Sequence, residues 1–123
     1  MPDSERRAQL VVEIPVSDIE HSIEFYVRLG FRLARRDGDF AVVTWDGHHL
    51  FLNEHKDLSP LPTRTHANVR VIVDNVDNAW DRVGRIGGIR VAKPIGDREY
   101  GLRDFTILDP DGFGIRFAAA LDE

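Results

Sequence analysis

The sequence predicts an α+β fold built from two βαβββ modules in tandem, and three observations predict it. A shift of 57 positions lays VVEIPVSDIEHSIEFYVRLG (11–30) on NVRVIVDNVDNAWDRVGRIG (68–87) without a gap, and repetition of this kind points to a duplicated structural unit. A second shift, of 65, lays DFAVVTWDGHHLFLN (39–53) on DFTILDPDGFGIRFA (104–118). Within each copy the apolar period changes from two to that of a helix and back to two, as it does where a helix lies between strands. At 123 residues the chain can build one core shared by both modules, and not two independent domains.

Module one is expected over 10–53. Its first strand, about 10–16, alternates Val12, Ile14 and Val16 with residues of the other face. Ser17 and Glu20 then read as an S-x-x-E capping box for a helix whose apolar stripe is Ile19, Ile23, Tyr26 and Leu29, closed by Gly30. A short strand at 31–36 precedes a hairpin that turns at Asp46-Gly47. The stretch EHKDLSPLPTRTH (54–66), polar with two prolines, reads as a linker. Module two, 67–119, repeats the plan. A strand at 67–73 leads to a helix capped by Asp74 with the stripe Val76, Ala79, Trp80, Val83 and Ile86; a short strand at 89–92 and a hairpin turning at Asp111-Gly112 follow. Asp-Gly suits both turns because a type I′ turn needs positive φ at its two central residues. The difference between the two shifts assigns about eight extra residues to module two, read as a loop around KPIGDREYGLR (93–103).

Composition narrows the function. With 42% hydrophobic and 30% charged residues the chain reads as an ordinary globular protein. No apolar run approaches the ~20 residues of a membrane span, and MPDSERRAQ lacks the apolar core of a secretory signal, so a cytoplasmic protein is expected. The absence of cysteine removes disulfides, thiolate nucleophiles and Cys-based metal sites. Sixteen Lys and Arg against 21 Asp and Glu give a net charge of −5, which opposes nucleic acid and favours a neutral or cationic ligand. DGHHLFLNEH (46–55) concentrates three histidines and a glutamate, residue types that zinc, nickel and iron sites use.

The stretches IPVSDIEHSIEFYVRLGF (14–31) and YGLRDFTILDPDGFGIRF (100–117) resemble the opening strand and helix, and the late strand and Asp-Pro-Asp-Gly turn, of the vicinal-oxygen-chelate superfamily. That superfamily includes glyoxalase I, extradiol dioxygenases, fosfomycin-resistance enzymes and bleomycin-resistance proteins. The resemblance covers almost the whole chain and implies curved mixed sheets around a cleft, in a homodimer that exchanges strands or modules. It also implies that metalloenzyme ligand positions, at the start of each module's first strand and in each last strand, fall on Val11, Phe51, Asn68 and Arg116. The repeat agrees, since the 57-residue shift carries Val11 onto Asn68 and the 65-residue shift carries Phe51 onto Arg116. Valine and phenylalanine cannot ligate a metal, arginine keeps its proton, and a lone asparagine is a weak donor. No metal and no cofactor are expected.

Pairing each hairpin through its Asp-Gly turn divides the side chains between two faces. Phe40, Val42, Thr44, His49, Phe51 and Asn53 fall on the cleft face of module one, while Ala41, Val43, Trp45, His48, Leu50 and Leu52 fall on the helix side. In module two the same pairing sends Phe105, Ile107, Gly114 and Arg116 to the cleft, and Thr106, Leu108, Ile115 and Phe117 to the helix side. The first strands add Val11, Glu13 and Pro15, and Asn68, Arg70 and Ile72; Tyr100 in the extra loop can fold over the cleft. The predicted ligand-binding residues are therefore Phe40, Val42, His49, Phe51, Asn53, Asn68, Arg70, Tyr100, Phe105, Ile107 and Arg116. A closed interior or subunit interface would use the same aromatics, and Glu13 could neutralise the arginines as ion pairs. The function expected is binding rather than catalysis: a bleomycin-resistance-like homodimer that sequesters a bulky aromatic, neutral or cationic, antibiotic or metabolite. The alternative is a glyoxalase-like lyase, isomerase or dioxygenase with a displaced site built from His49, His55 or His66. Metal-free acid–base chemistry at Glu13 or His49 is a third reading.

Overall fold

The computed structural model describes residues 9–59 and 67–121. Most of the expected linker, with His66, lies outside the described residues. Module one comprises β1 (Val12–Val16), α1 (Ile19–Leu29), β2 (Arg32–Asp37), β3 (Phe40–Trp45) and β4 (His48–Glu54). Module two comprises β5 (Asn68–Ile72), α2 (Val76–Ile86), β6 (Val91–Asp97), β7 (Leu102–Leu108) and β8 (Gly114–Ala120). Each module forms a mixed four-stranded sheet, ordered β1-β4-β3-β2 and β5-β8-β7-β6, in which the first and last strands are parallel and the rest antiparallel. The predicted α+β plan of two βαβββ modules is the fold observed.

One core serves both modules. Ile14, Val16, Ala41, Val43, Leu50 and Leu52 from the first sheet meet Phe105, Ile107, Ile115 and Phe117 from the second, with Ile19, Tyr26, Leu29, Val76 and Val83 from the helices. Each such side chain, fully buried, stabilises the fold by about 1.5–3 kcal/mol. Trp45 and Phe117 meet edge-on across the modules at 5.6 Å between centroids, and Phe105 stacks on Phe117 at 5.4 Å. Trp80 packs against Phe105 at 4.9 Å, the core role that its helical spacing predicts.

The helix starts differ from expectation. Asp18, not Ser17, caps α1, its carboxylate accepting from the His21 amide at 3.1 Å. Carboxylates from elsewhere take two further amides, Ser17 N donating to Asp111 at 3.0 Å and Ile19 N to Glu54 at 2.9 Å. Glu20 is thereby released from a capping box and pairs with Arg36 at 2.9 Å. Asn75, not Asp74, caps α2 by accepting from Asn78 N. Gly30 closes α1 as expected, at φ 123°.

Module two departs from the sequence reading in two places. The extra residues do not form a loop over 93–103: β6 continues to Asp97 and β7 starts at Leu102, with register shifts between Val91, Lys93 and Gly96 absorbing the added length. Only 98–101 turn, closed by Arg98 N to Leu102 O at 2.7 Å. The second departure is the hairpin after β7. Module one turns tightly at Asp46-Gly47 (φ 48° and 81°), and every predicted pair from Phe40↔Asn53 to Trp45↔His48 is present. In module two five residues, 109–113, separate the strands, and Leu108 pairs with Gly114.

Candidate functional site

The five-residue turn is organised by one carboxylate. Asp109 is fully buried; its Oδ1 accepts from the amides of Asp111 (2.9 Å) and Phe113 (2.8 Å), and its Oδ2 accepts from the Tyr26 hydroxyl (2.8 Å). Burial pushes the Asp109 carboxyl above its ordinary range, and these three hydrogen bonds oppose the rise without cancelling it. Burial, with the neighbouring Asp109 charge, raises the Tyr26 hydroxyl as well.

The added turn residue slips β7 by one position against the pairing expected from Asp111-Gly112, and a one-residue slip moves every side chain of a strand to its other face. Phe105 opposes Phe117 and Ile107 opposes Ile115, so Phe105 and Ile107, expected in the cleft, are fully buried in the helix-side core. Asp104, Thr106 and Leu108 take the face turned away from the helices, with Gly114, Arg116 and Ala118. The turn signal concealed this, although the alternation in DFTI already separates Phe105 and Ile107 from Asp104 and Thr106.

The remaining candidates lie on the helix-distal faces. In module one Phe40 and Phe51 meet edge-on at 5.2 Å, and Val42, opposite Phe51, is almost fully covered. His49 opposes Thr44 and is exposed; Asn53 donates to Glu13 at 3.3 Å across the parallel β1–β4 pair. Glu13 therefore meets an asparagine where an arginine partner had been considered. In module two Asn68, Arg70 and Ile72 of β5 share a face with Arg116. Tyr100, 53% exposed, does not swing free: its hydroxyl donates to Asp104 Oδ2 at 2.6 Å. Arg98 Nε donates to Asp104 Oδ1 at 2.7 Å. Burial pushes the Asp104 carboxyl up, and the bonds from Tyr100 and Arg98, with the charges of Arg98 and Arg116, more than reverse this and hold it below the usual range. Arg103 pairs with Asp77 and Asp97 on the opposite face, not with its neighbour Asp104. Asp104, Arg98, Thr106 and Lys93 are the face residues that sequence reasoning missed.

A cavity of about 390 Å³ lies where the two sheets approach, between β1 and the start of β4 on one side and β5 on the other. Leu10, Val12, Trp45, His49, Arg70 and Ile72 are among its lining, so His49 and Arg70 border the same space. Phe40, Phe51 and Arg116 lie on the sheets beyond its lining.

A metal does not fit the four positions at which the superfamily resemblance places its ligands. Val11, Phe51, Asn68 and Arg116 supply no adequate donor set. His48 and His49 occupy opposite faces of β4, and among the described residues no three His, Asp or Glu side chains converge.

A bleomycin resistance protein of Geobacillus stearothermophilus is 29% identical over 124 aligned positions, covering 89% of this chain and 94% of the relative, and a bleomycin resistance protein of Staphylococcus aureus matches equally. A crystal structure of a glyoxalase/bleomycin resistance protein/dioxygenase from Alicyclobacillus acidocaldarius superposes with a TM-score of 0.78 at 21% identity, covering 92% of this chain and 91% of the other. A bleomycin-binding protein crystallised with bleomycin superposes with a TM-score of 0.76 at 20% identity, covering 94% and 100%. The sequence pattern of the glyoxalase/bleomycin resistance protein/dioxygenase superfamily matches residues 8–117, and the chain belongs to that superfamily.

Proposed function

We propose that this protein is a metal-free binder that sequesters a bulky aromatic antibiotic or metabolite in the clefts of a homodimer and makes or breaks no bond. The observation that carries the reading is the Phe40–Phe51 pair, with Phe51 standing where a metal-binding relative would place a ligand. An apolar, aromatic floor bordered by a few polar groups, here His49, Thr44 and the Asn53–Glu13 pair, is how pockets for organic molecules are commonly lined. The relatives named bleomycin resistance proteins support a sequestering role. A second copy would cover Leu10, Val12 and Ile72, which are 100%, 44% and 61% exposed along the free edges of the two sheets.

The test is a calorimetric titration of bleomycin, then of a panel of aromatic antibiotics, into protein treated with EDTA. The reading expects saturable binding near one ligand per chain, unchanged by EDTA, and a dimer by sedimentation. Phe51→Ala should weaken binding about tenfold, the equivalent of about 1.4 kcal/mol. Silence across the panel would count against the reading. So would stoichiometric zinc, nickel, iron or manganese in protein purified without a His-tag, which would restore the lyase alternative.

A further inference from the structure

The strand registers of module two set four polar side chains in one row across the sheet. Arg70 on β5 is the partner of Arg116 on β8, Arg116 of Thr106 on β7, and Thr106 of Lys93 on β6, all on the helix-distal face. Arg70 and Arg116 are neighbours on the parallel β5–β8 pair, where their like charges repel, and the carboxylate whose charge reaches Arg116 is Asp104 in the next row. Asp104 is the one acidic strand residue that the registers place on this face, and Arg98 and Tyr100 already occupy both of its oxygens. Arg116 Nε donates to Thr106 Oγ1 at 3.1 Å, which orients the guanidinium while its two terminal nitrogens have no protein acceptor among the described residues. Neither Arg70 nor Lys93 has an ion-pair partner among the described residues. The adjoining rows mix the small residues Gly114, Ala118 and Gly96 with Leu108, Ile72 and the Asp104 carboxylate.

We propose that Arg70, Arg116 and Lys93 form an oxyanion subsite, and that the ligand of this protein carries a carboxylate, sulfonate or phosphate beside its aromatic part. The proposal rests on the binding function above and names its ligand class. An arginine fork matches the geometry of these anions, and a docked anion would relieve the repulsion between the paired arginines. A net charge of −5 over the whole chain favours a neutral or cationic ligand, but the charge a ligand meets on this face is positive.

The full-length protein is titrated at low salt with 1-naphthoate, 1-naphthamide and 1-naphthylmethylammonium, read by tryptophan fluorescence. Naphthoate should bind at least about tenfold more tightly than the amide, with the ammonium weakest and the preference shrinking as salt screens it. Arg70→Gln and Arg116→Gln should each erase the preference for naphthoate over the amide. Arg28→Gln on the exposed side of α1, an equal change in net charge, should leave it intact. Equal affinity for naphthoate and naphthamide, or a preference that survives both variants, overturns the subsite and leaves aromatic binding standing. If no naphthyl compound binds, inorganic sulfate decides. A melt raised more by sulfate than by sodium chloride of matched ionic strength, with the difference lost in Arg70→Gln, supports the subsite and faults the aromatic reading. An equal response of the two proteins overturns the subsite. Should Arg116→Gln fail to fold, Arg70→Gln, at an exposed position, carries the comparison.

Discussion

Removing one oxygen atom from Tyr26 probes the interaction that joins the modules. Tyr26 and Asp109 are both fully buried, and their 2.8 Å hydrogen bond ties α1 to the turn before β8. In Tyr26→Phe the ring keeps its edge contacts with Phe25 and Phe31, each at 5.3 Å, so the loss is confined to the donor on Asp109 Oδ2. A hydrogen bond to a charged group contributes about 1.5–3 kcal/mol, and a loss near 2 kcal/mol lowers Tm by roughly 6–10 °C in a domain of this length. The effect depends on pH in a fixed direction. The Asp109 carboxyl is raised in the folded protein, so its contribution is fully favourable below its unfolded pKa of about 3.9 and is lost as pH rises through the folded value. Tyr26 holds that value down by favouring the ionised form; without it the folded pKa climbs further. The gap between variant and wild type should therefore be widest at neutral pH and narrow towards pH 4. Paired calorimetric melts at pH 7.5 and pH 4.5 measure it, and a gap of the same size at both would refute the reasoning.

Three further changes have defined outcomes. Ser22 Oγ is buried on α1 without a hydrogen-bond partner among the described residues, so Ser22→Ala should stabilise the protein by about 1 kcal/mol, seen as a higher urea midpoint at constant slope. Gly30 adopts φ 123°, and a Cβ there would stand 3.0 Å from Trp45 Cζ3; Gly30→Ala should cost about 2 kcal/mol in the same assay. Arg98→Met leaves the Asp104 carboxylate without its cation and should cost about 2 kcal/mol at neutral pH. Because the folded Asp104 pKa is lowered, the wild-type advantage is present above the unfolded value of about 3.9 and disappears as pH falls through the folded value, which melts across the acid range will trace.

Local periodicity carried most of the fold, because the alternation in β1, β4 and β5 and the helical stripes each encode one more deeply buried face. The hairpin of module one was legible to the individual pair, since a two-residue Asp-Gly turn leaves a single register possible. The helix caps were not, because the amides that Ser17 and Glu20 could have organised locally are taken or displaced by Asp111 and Glu54, distant in sequence. Phe40, Phe51, Asn53 and Arg116 were placed on the face they occupy, whereas the Arg70–Arg116–Thr106–Lys93 row was invisible. It exists only after the register across three strand pairs is known, and a turn of five residues, not two, sets one of them.

That turn couples the core to the chemistry of the helix-distal face. If β7 had the register of β3, Phe105 and Ile107 would leave the core and Asp104 and Thr106 would enter it. Phe105 and Ile107 would forfeit their packing in the core, and Asp104, already fully buried, would lose Arg98 and Tyr100 at a cost of several kcal/mol, or stay protonated. Against a typical total stability of about 5–15 kcal/mol the slipped strand is not affordable. Deleting Pro110 leaves Asp111-Gly112 as a two-residue turn with Asp109 facing Phe113 and Leu108 still facing Gly114, so the variant should keep β7 in its native register, lose the Asp109 cradle, and melt below wild type. A cooperative melt within a few degrees of wild type would show that the Asp109 cradle contributes little to stability and that the register of β7 does not depend on it.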